Sequence, residues 1–432
     1  MAFVIKIAKT VRTHWKKSIF GACLVAYGIK YAIKSHEENL IRRAFCEEAR
    51  KYGEEKITLN DKPRKVTVFL NPASQGGKGS KLFNKNAAPI LYLAGMEVNV
   101  VKTEFEGQVK QFLTILEKKD MDGIVVAGGD GALLEAVTGF MRKDDVNFRQ
   151  NVPVGVIPLG YTNRFAQLLF GTDLSEVRMI GEAALAVVKG VTKKFDVMKI
   201  ESSEGKSTYA LSDVQVGAFR DAEQRKSKYW YFGPLKHRWT YVRTAMKKWP
   251  QSFKAKISYV EATEENMKSQ VGKPEPPQSS SWSWLSFLYN STPVTNVASD
   301  EDEHMTDEWD QTIERDLDTV ELTIVSSNHH KHKQDVVALD LGIGPSEPSR
   351  TDFIKEGWRR VEQHSLTLGT NTNEHHSVKK ISIQPDEQNE NLWFNIDGEY
   401  FEAVPTEITL LKNRLKFYYE PGLFEATSPV GS

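Results

Sequence analysis

Short apolar runs and amphipathic stretches alternate along the first half of the chain. Val66-Thr-Val-Phe-Leu70 is strand-like, Asn71 to Gly79 reads as a loop, Lys81 to Leu93 carries helical periodicity, and Val98 to Val101 resumes as a strand. A helix through Phe112 to Leu116 leads to Ile124-Val-Val-Ala127, apolar enough for a buried parallel strand, and Val154 to Ile157 supplies another. This order predicts α/β winding. From Lys194 the period changes to alternation: Lys194 to Ile200, Lys254 to Tyr259, Val320 to Val325, Leu392 to Asn395 and Lys412 to Tyr419 predict an antiparallel β domain. The expected boundaries are an N-terminal segment at 1–60, the α/β domain at 61–193, the β-rich domain at 194–420 and a tail at 421–432.

Two stretches stand outside this pattern. Residues 261–314 are rich in Pro, Ser and acids and read as a largely disordered insert. Within it Trp282, Trp284, Leu285, Phe287, Leu288 and Tyr289 form an aromatic cluster, suited either to a membrane interface or to docking on the β domain. At the N-terminus, Lys6, Lys9, Arg12, Lys16 and Lys17 precede an apolar segment from Ile19 to Gly28, and no acid occurs before Glu37. Such a sequence is similar to a mitochondrial presequence joined to a short apolar segment. Interrupted by Lys30 and Lys34, that segment falls short of the roughly 20 apolar residues of a comfortable membrane span. It lies in the interface, only just spans, or packs on the domain as an amphipathic helix.

Composition narrows the classes. Lys+Arg and Asp+Glu both number 57, so no global field points to nucleic acid. Hydrophobic residues at 40% and charged residues at 26% of 432 fit a mostly folded chain of two domains. Cys23 and Cys46 are too few for a disulfide framework or a structural zinc site. His329, His330, His332, His375 and His376 read as solvated loop rather than metal ligands.

The chemistry centres on Gly123-Ile-Val-Val-Ala-Gly-Gly-Asp-Gly-Ala-Leu-Leu-Glu135. A buried strand there runs into Gly128, Gly129 and Gly131 before a helix-like pattern, and strand ends of this kind are where ligands bind in open α/β sheets. Glycines admit a phosphate to the backbone N–H groups, and a helix N-terminus adds partial positive charge. Asp130 would repel that phosphate unless it holds a bridging metal or takes a proton from an attacking hydroxyl. A Gly-rich turn with an exposed Asp is the alternative. The loop with Gly76, Gly77, Lys78 and Gly79 is not a Walker A motif, although it offers N–H groups and a cation.

Gly128-Gly129-Asp130-Gly131 with Glu135 resembles the signature of the diacylglycerol kinase and sphingosine kinase superfamily, to which NAD kinases are distant relatives. Phe69-Leu-Asn-Pro-Ala73, Ile157-Pro-Leu-Gly160, Asn163 and Asp397-Gly-Glu399 follow in the family's order. Lys85 to Ile90 and Ser227 to Lys236 further resemble its acylglycerol kinase branch. The resemblance implies a two-domain lipid kinase fold, an α/β nucleotide-binding domain plus a C-terminal antiparallel β-sandwich. ATP and Mg²⁺ are the implied cofactors. Asn71, Gly128, Gly129, Gly131, Glu135, Gly160, Asn163 and Glu399 would face the nucleotide, and Asp130 and Asp397 the metal. Asp130 would also be catalytic, as base or as metal ligand, and Asp221 would hold the lipid's polar head. Asp221 paired with Arg220 or Arg225, and Asp397-Gly398 as an ordinary hairpin turn, are the plainer alternatives.

Two departures stand out: Ala132 where the family usually has Thr, and Arg164 where it usually has Asp. The expected function is phosphorylation of monoacylglycerol and diacylglycerol to lysophosphatidic and phosphatidic acid. The resemblance places it at the mitochondrial inner membrane, on the intermembrane-space side, with the carrier translocase of that membrane as an associated partner. The competing expectations are a non-catalytic scaffold on a kinase fold and, more weakly, a sphingosine, ceramide or NAD kinase.

Overall fold

The computed structural model describes residues 15–55, 62–172, 174–247, 249–262, 312–329, 338–363, 374–386 and 392–426. The aromatic cluster at Trp282 to Tyr289 lies outside them, as do His330 and His332. The expected parallel strands are β1 (Lys65–Leu70), β2 (Glu97–Lys102), β3 (Gly123–Gly128) and β4 (Val154–Pro158). They pair in parallel in the order β4-β3-β1-β2. β3 and β4 are buried along their whole length, whereas β2 is half-exposed at the sheet edge. Central strands covered on both faces are apolar at every position, which is why these runs do not alternate. The periodic stretch after β1 is two helices, Gly79–Asn86 and Ala88–Leu93. Pro89 starts the second because it has no N–H to continue the first.

The C-terminal part is a mostly antiparallel sheet of β5 (Thr192–Ser202), β6 (Ser207–Ala210), β7 (Asp213–Gly217), β8 (Phe253–Glu261), β9 (Thr312–Thr319), β10 (Glu321–Val325), β11 (Leu339–Ile343), β12 (Glu374–Pro385), β13 (Trp393–Ile396), β14 (Glu399–Glu402) and β15 (Thr406–Tyr418). Its main ladder is β14-β13-β7-β10-β11-β12-β15. β8 with β9 lies along β12, and β5 with β6 lies along β15. Val214, Ile257, Ile324, Leu341, Ile381 and Ile408, all from different strands, share one apolar core.

β15 joins the two parts. It pairs with β5 from Thr406↔Ser202 to Tyr418↔Thr192, bulging between Leu411 and Leu415, and its end meets β4 at Phe417↔Val154. Phe417 packs at 4.7 Å on Phe165 and 5.7 Å on Phe195, so aromatic contacts from both parts hold this junction.

Four features differ from the sequence expectations. The helix Trp15–Gly53 packs its second half on the α/β domain, with Phe45 and Ala49 in the core, so the folded unit begins well before Val66. Ile19, Phe20, Leu24 and Val25 in its first half are exposed, and no described helix is long and apolar enough to cross a membrane. His375 and His376 lie in β12 rather than a loop, and β9 begins at Thr312, inside the expected insert. A helical layer, comprising Ala218–Arg225, Lys236–Ala245 and Arg350–Gln363, covers part of the β sheet. Phe219, Tyr241 and Phe353 anchor it; these are too far apart in sequence to give a local periodic signal.

Candidate active site

Three strand ends converge. The N–H of Asn71, after β1, donates to Ala127 O at 3.0 Å, and the N–H of Leu159, after β4, donates to Gly128 O at 2.8 Å. The Asp130 N–H donates to Thr162 O at 3.3 Å, closing the loop after β4 onto the loop after β3. Gly129 and Gly160 meet backbone to backbone: a Cβ on Gly129 would lie 3.0 Å from the Gly160 Cα, and one on Gly160 would lie 2.8 Å from Thr162 O. Helix Asp130–Met141 starts there, and its first turn carries N–H groups without intrahelical acceptors.

Asp130 opens that helix and is buried, which sets aside the alternative of a Gly-rich turn with an exposed Asp. Its Oδ1 accepts from the Arg164 N–H at 2.8 Å, while its Oδ2 is buried with no hydrogen-bond partner. Burial pushes its carboxyl above the ordinary range, and Arg164 and the neighbouring Thr162 hydroxyl partly offset this. A buried, unpartnered carboxylate oxygen is costly unless a cation or a donor hydroxyl completes it.

The second carboxylate here is Glu399, not Asp397. Asp397 and Gly398 form a two-residue hairpin turn between β13 and β14, with φ of 45° and 90° as a primed turn requires. The Asp397 carboxylate turns inward and accepts from the N–H groups of Leu211 at 2.7 Å and of Ser212 and Asp213 at 2.9 Å. Burial and the neighbouring Asp213 push it up to about 7. The metal role expected of Asp397 is therefore corrected: both its oxygens are engaged in holding the β6–β7 connection. The same turn brings Glu399 against Gly131, where a Cβ would collide with the Glu399 carboxylate. Burial raises the Glu399 carboxyl first, then Glu106 and Asp130.

Several residues expected at the nucleotide also shape the loops. The side chain of Asn163 accepts from the Gly160 N–H at 3.0 Å and donates to Gly160 O at 2.9 Å, clamping the second glycine loop. The Asn71 side chain accepts from the Ala73 N–H at 3.0 Å, and Glu135 accepts from the Val109 N–H at 2.9 Å, at the start of helix Gln108–Ile115. Asn71 stays within the loop cluster through its neighbours: a Cβ on Gly128 would lie 3.6 Å from the Asn71 Cβ.

Arg164 is the residue that sequence reasoning left without a role. Its Nη1 lies 2.8 Å from both oxygens of the fully buried Asp213, and its Nη2 lies 3.3 Å from Glu223 Oε2. The only sequence signal was its unexpected charge; Asp213 and Glu223 gave none. Asp221 lies on helix Ala218–Arg225 with its oxygens 3.0 Å from Arg220 and 3.8 Å from Arg225, which is the plainer arrangement considered for it. Burial raises its carboxyl against those two cations and Lys247. Shape alone would not have marked the site: a concavity of about 500 Å³ between Phe45, Leu185 and Lys189 contains none of these groups.

Residues 65–200 match the diacylglycerol kinase catalytic domain, and residues 211–426 match the acylglycerol kinase C-terminal family. The mitochondrial acylglycerol kinase of Xenopus laevis is 38% identical over 433 residues, covering 98% of this chain and 96% of that protein. The mitochondrial acylglycerol kinase of Homo sapiens is 38% identical over 437 residues, covering 98% of this chain and 99% of that protein. A diacylglycerol kinase structure from Bacillus anthracis str. Sterne superposes with a TM-score of 0.51 over 84% of this chain and 100% of its own, at 19% identity. That likeness speaks to the fold.

Proposed function

Because this chain belongs to the acylglycerol kinase family, and so is a lipid kinase that uses ATP, we propose that its substrates are monoacylglycerol and diacylglycerol, with lysophosphatidic and phosphatidic acid as products. The observation that carries the site assignment is the buried Asp130 with its unpartnered Oδ2, at the N-terminus of a helix beneath three glycines. The glycine loops and the helix N-terminus bind the phosphates. Asp130 holds the substrate hydroxyl in line and accepts its proton, for which a carboxyl raised by burial suits better than an ordinary one. Mg²⁺ needs only one or two protein carboxylates beside substrate phosphates, and Glu399, against Gly131 and within electrostatic reach of Asp130, would hold it. When bound it neutralises charge on the transferring phosphoryl group. Asp221, on the helix that leads into the segment carrying the exposed Trp230, Tyr231 and Leu235, orients the lipid head.

The proposed location is the mitochondrial inner membrane, facing the intermembrane space. Support comes from the exposed apolar first half of helix Trp15–Gly53, its basic flank, and the names of the relatives. A second reading, a largely non-catalytic scaffold in the inner-membrane carrier translocase, draws on Ala132, which leaves the first helical turn without a hydroxyl. ATP-dependent phosphorylation of a panel of monoacylglycerol, diacylglycerol, sphingosine, ceramide and NAD separates the readings. Transfer to the acylglycerols that is lost in Asp130→Asn supports the proposal; no transfer to any of them overturns it.

A further inference from the structure

A second strongly charged site lies away from Asp130. Where β15 bulges, with Asn413 at φ 51°, a concavity of about 410 Å³ opens between β15, β5 and helix Val146–Asn151. Arg149, Lys194, Lys199, Lys412, Arg414 and Lys416 line it, and none of its lining residues is acidic. Lys199 pairs with Glu201 at 2.9 Å. Lys194, Lys412, Arg414 and Lys416 make no ion pair among the described residues.

Two of these lysines are placed against their own electrostatics. Lys194 and Lys416 are direct cross-strand partners, so their side chains project from the same face, where like charges repel. Lys412 likewise bears on Lys379, whose ammonium is held below its ordinary value first by burial and then by Lys412. A solvated face would spread such charges; here they converge on a recess within the roughly 300–1,000 Å³ range of small-ligand sites. Met141, the last residue of helix Asp130–Met141, also lines it. Eleven helical rises separate Met141 from Asp130, roughly 16 Å, so the recess is distinct from the phosphate-binding loops.

The geometry points to a second anion site in this recess, one that binds a phosphate monoester through Lys194, Lys416, Lys412 and Arg414. Two sources share that chemistry, a soluble phosphate and the headgroup of a phosphate-bearing lipid such as phosphatidate. Neither depends on which lipid the kinase phosphorylates.

The test uses the full chain and the variants Lys194→Gln/Lys416→Gln and Lys412→Gln/Arg414→Gln. Inorganic phosphate and glycerol 3-phosphate are titrated calorimetrically against chloride at matched ionic strength. In parallel, phosphatidylcholine vesicles with and without phosphatidate are tested by flotation. The site predicts saturable binding that each double variant weakens by about tenfold or more, as loss of charge-assisted contacts requires. ATP affinity stays unchanged. Weakening seen only with soluble phosphates identifies a soluble source; weakening seen only with phosphatidate vesicles identifies the lipid. Binding equal in wild type and both variants, or no binding beyond chloride, overturns the proposal. Lys194→Gln alone should leave Tm in chloride buffer unchanged or raised, since it relieves a like-charge pair; a lowered Tm would make the lysine structural and also overturn it.

Discussion

The main-chain N–H of Arg164 holds Oδ1 of Asp130 at 2.8 Å, while the Arg164 side chain leaves the loop to bind Asp213 and Glu223. One residue thus positions the carboxylate through its backbone and ties the α/β domain to the β sheet through its side chain. The positive charge of Arg164 is engaged by the buried Asp213 and the half-buried Glu223, so it does not weigh against catalysis. Truncation should reveal this. Arg164→Ala leaves the fully buried Asp213 unpaired and should cost about 3–5 kcal/mol, read as a lowered urea midpoint. Arg164→Met with Asp213→Leu should recover most of the loss, and a single variant as stable as wild type would remove the pair's structural role.

Asp130→Asn keeps an acceptor for the Arg164 N–H and removes the ionisable oxygen. Turnover should fall by about 10²–10⁴, with the fold retained and stability unchanged or raised. The sign follows from the pKa. A carboxyl raised on folding favours the native state at low pH and disfavours it as pH rises through the folded value, so its neutral replacement relieves that penalty at pH 7. In the wild type, kcat/KM should rise with pH along a limb centred above the ordinary Asp value of about 3.9. Near-normal turnover in the variant would end the assignment.

Gly131→Ala and Gly160→Ala should part company. The first meets only the movable carboxylate of Glu399, so stability should change by less than about 1 kcal/mol while kcat drops as Glu399 is displaced. The second meets backbone, Gly129 Cα and Thr162 O, and should lose about 1–3 kcal/mol of stability as well as activity. Thermal melts beside steady-state kinetics distinguish them. Equal stability losses would mean that Glu399 does not occupy the space beside Gly131.

Asp221→Ala tests the lipid side. If it orients a glycerol hydroxyl, kcat/KM for monoacylglycerol should fall by about one to two powers of ten with the KM for ATP unchanged. If its carboxylate serves only Arg220 and Arg225, both kinetic constants stay put.

Deleting residues 1–34 should leave a folded enzyme, because Phe45 and Ala49 remain in the core, and should release it from mitochondrial membranes. Deleting 1–53 removes those anchors and should cost about 3–5 kcal/mol through Phe45 alone. Sedimentation of the shorter deletion with membranes would place the anchor elsewhere, with Trp282 to Tyr289 the next candidates.

Local physics made the parallel strands, the glycine loops and Asp130 legible from sequence alone. Fully apolar runs can only be central strands or buried helices, and a carboxylate among phosphate-binding glycines has few uses. The Asp397-Gly398 turn was equally local, since primed hairpins demand that pair. What no local pattern held was the partner of each group. Glu399 reaches Gly131, Asp397 caps the β6–β7 connection and Arg164 finds Asp213 only because β13, β7 and the loop after β4 meet in space, with separations of 49 residues for Arg164 to Asp213 and 184 for Asp397 to Asp213. The recess of Lys194 and Lys416 likewise exists only through the register of β5 on β15. Sequence determines which groups carry charge and which must be buried; the burial itself, which sets each carboxyl's proton affinity and leaves Asp130 Oδ2 without a partner, belongs to the tertiary structure, because desolvation depends on every neighbour at once.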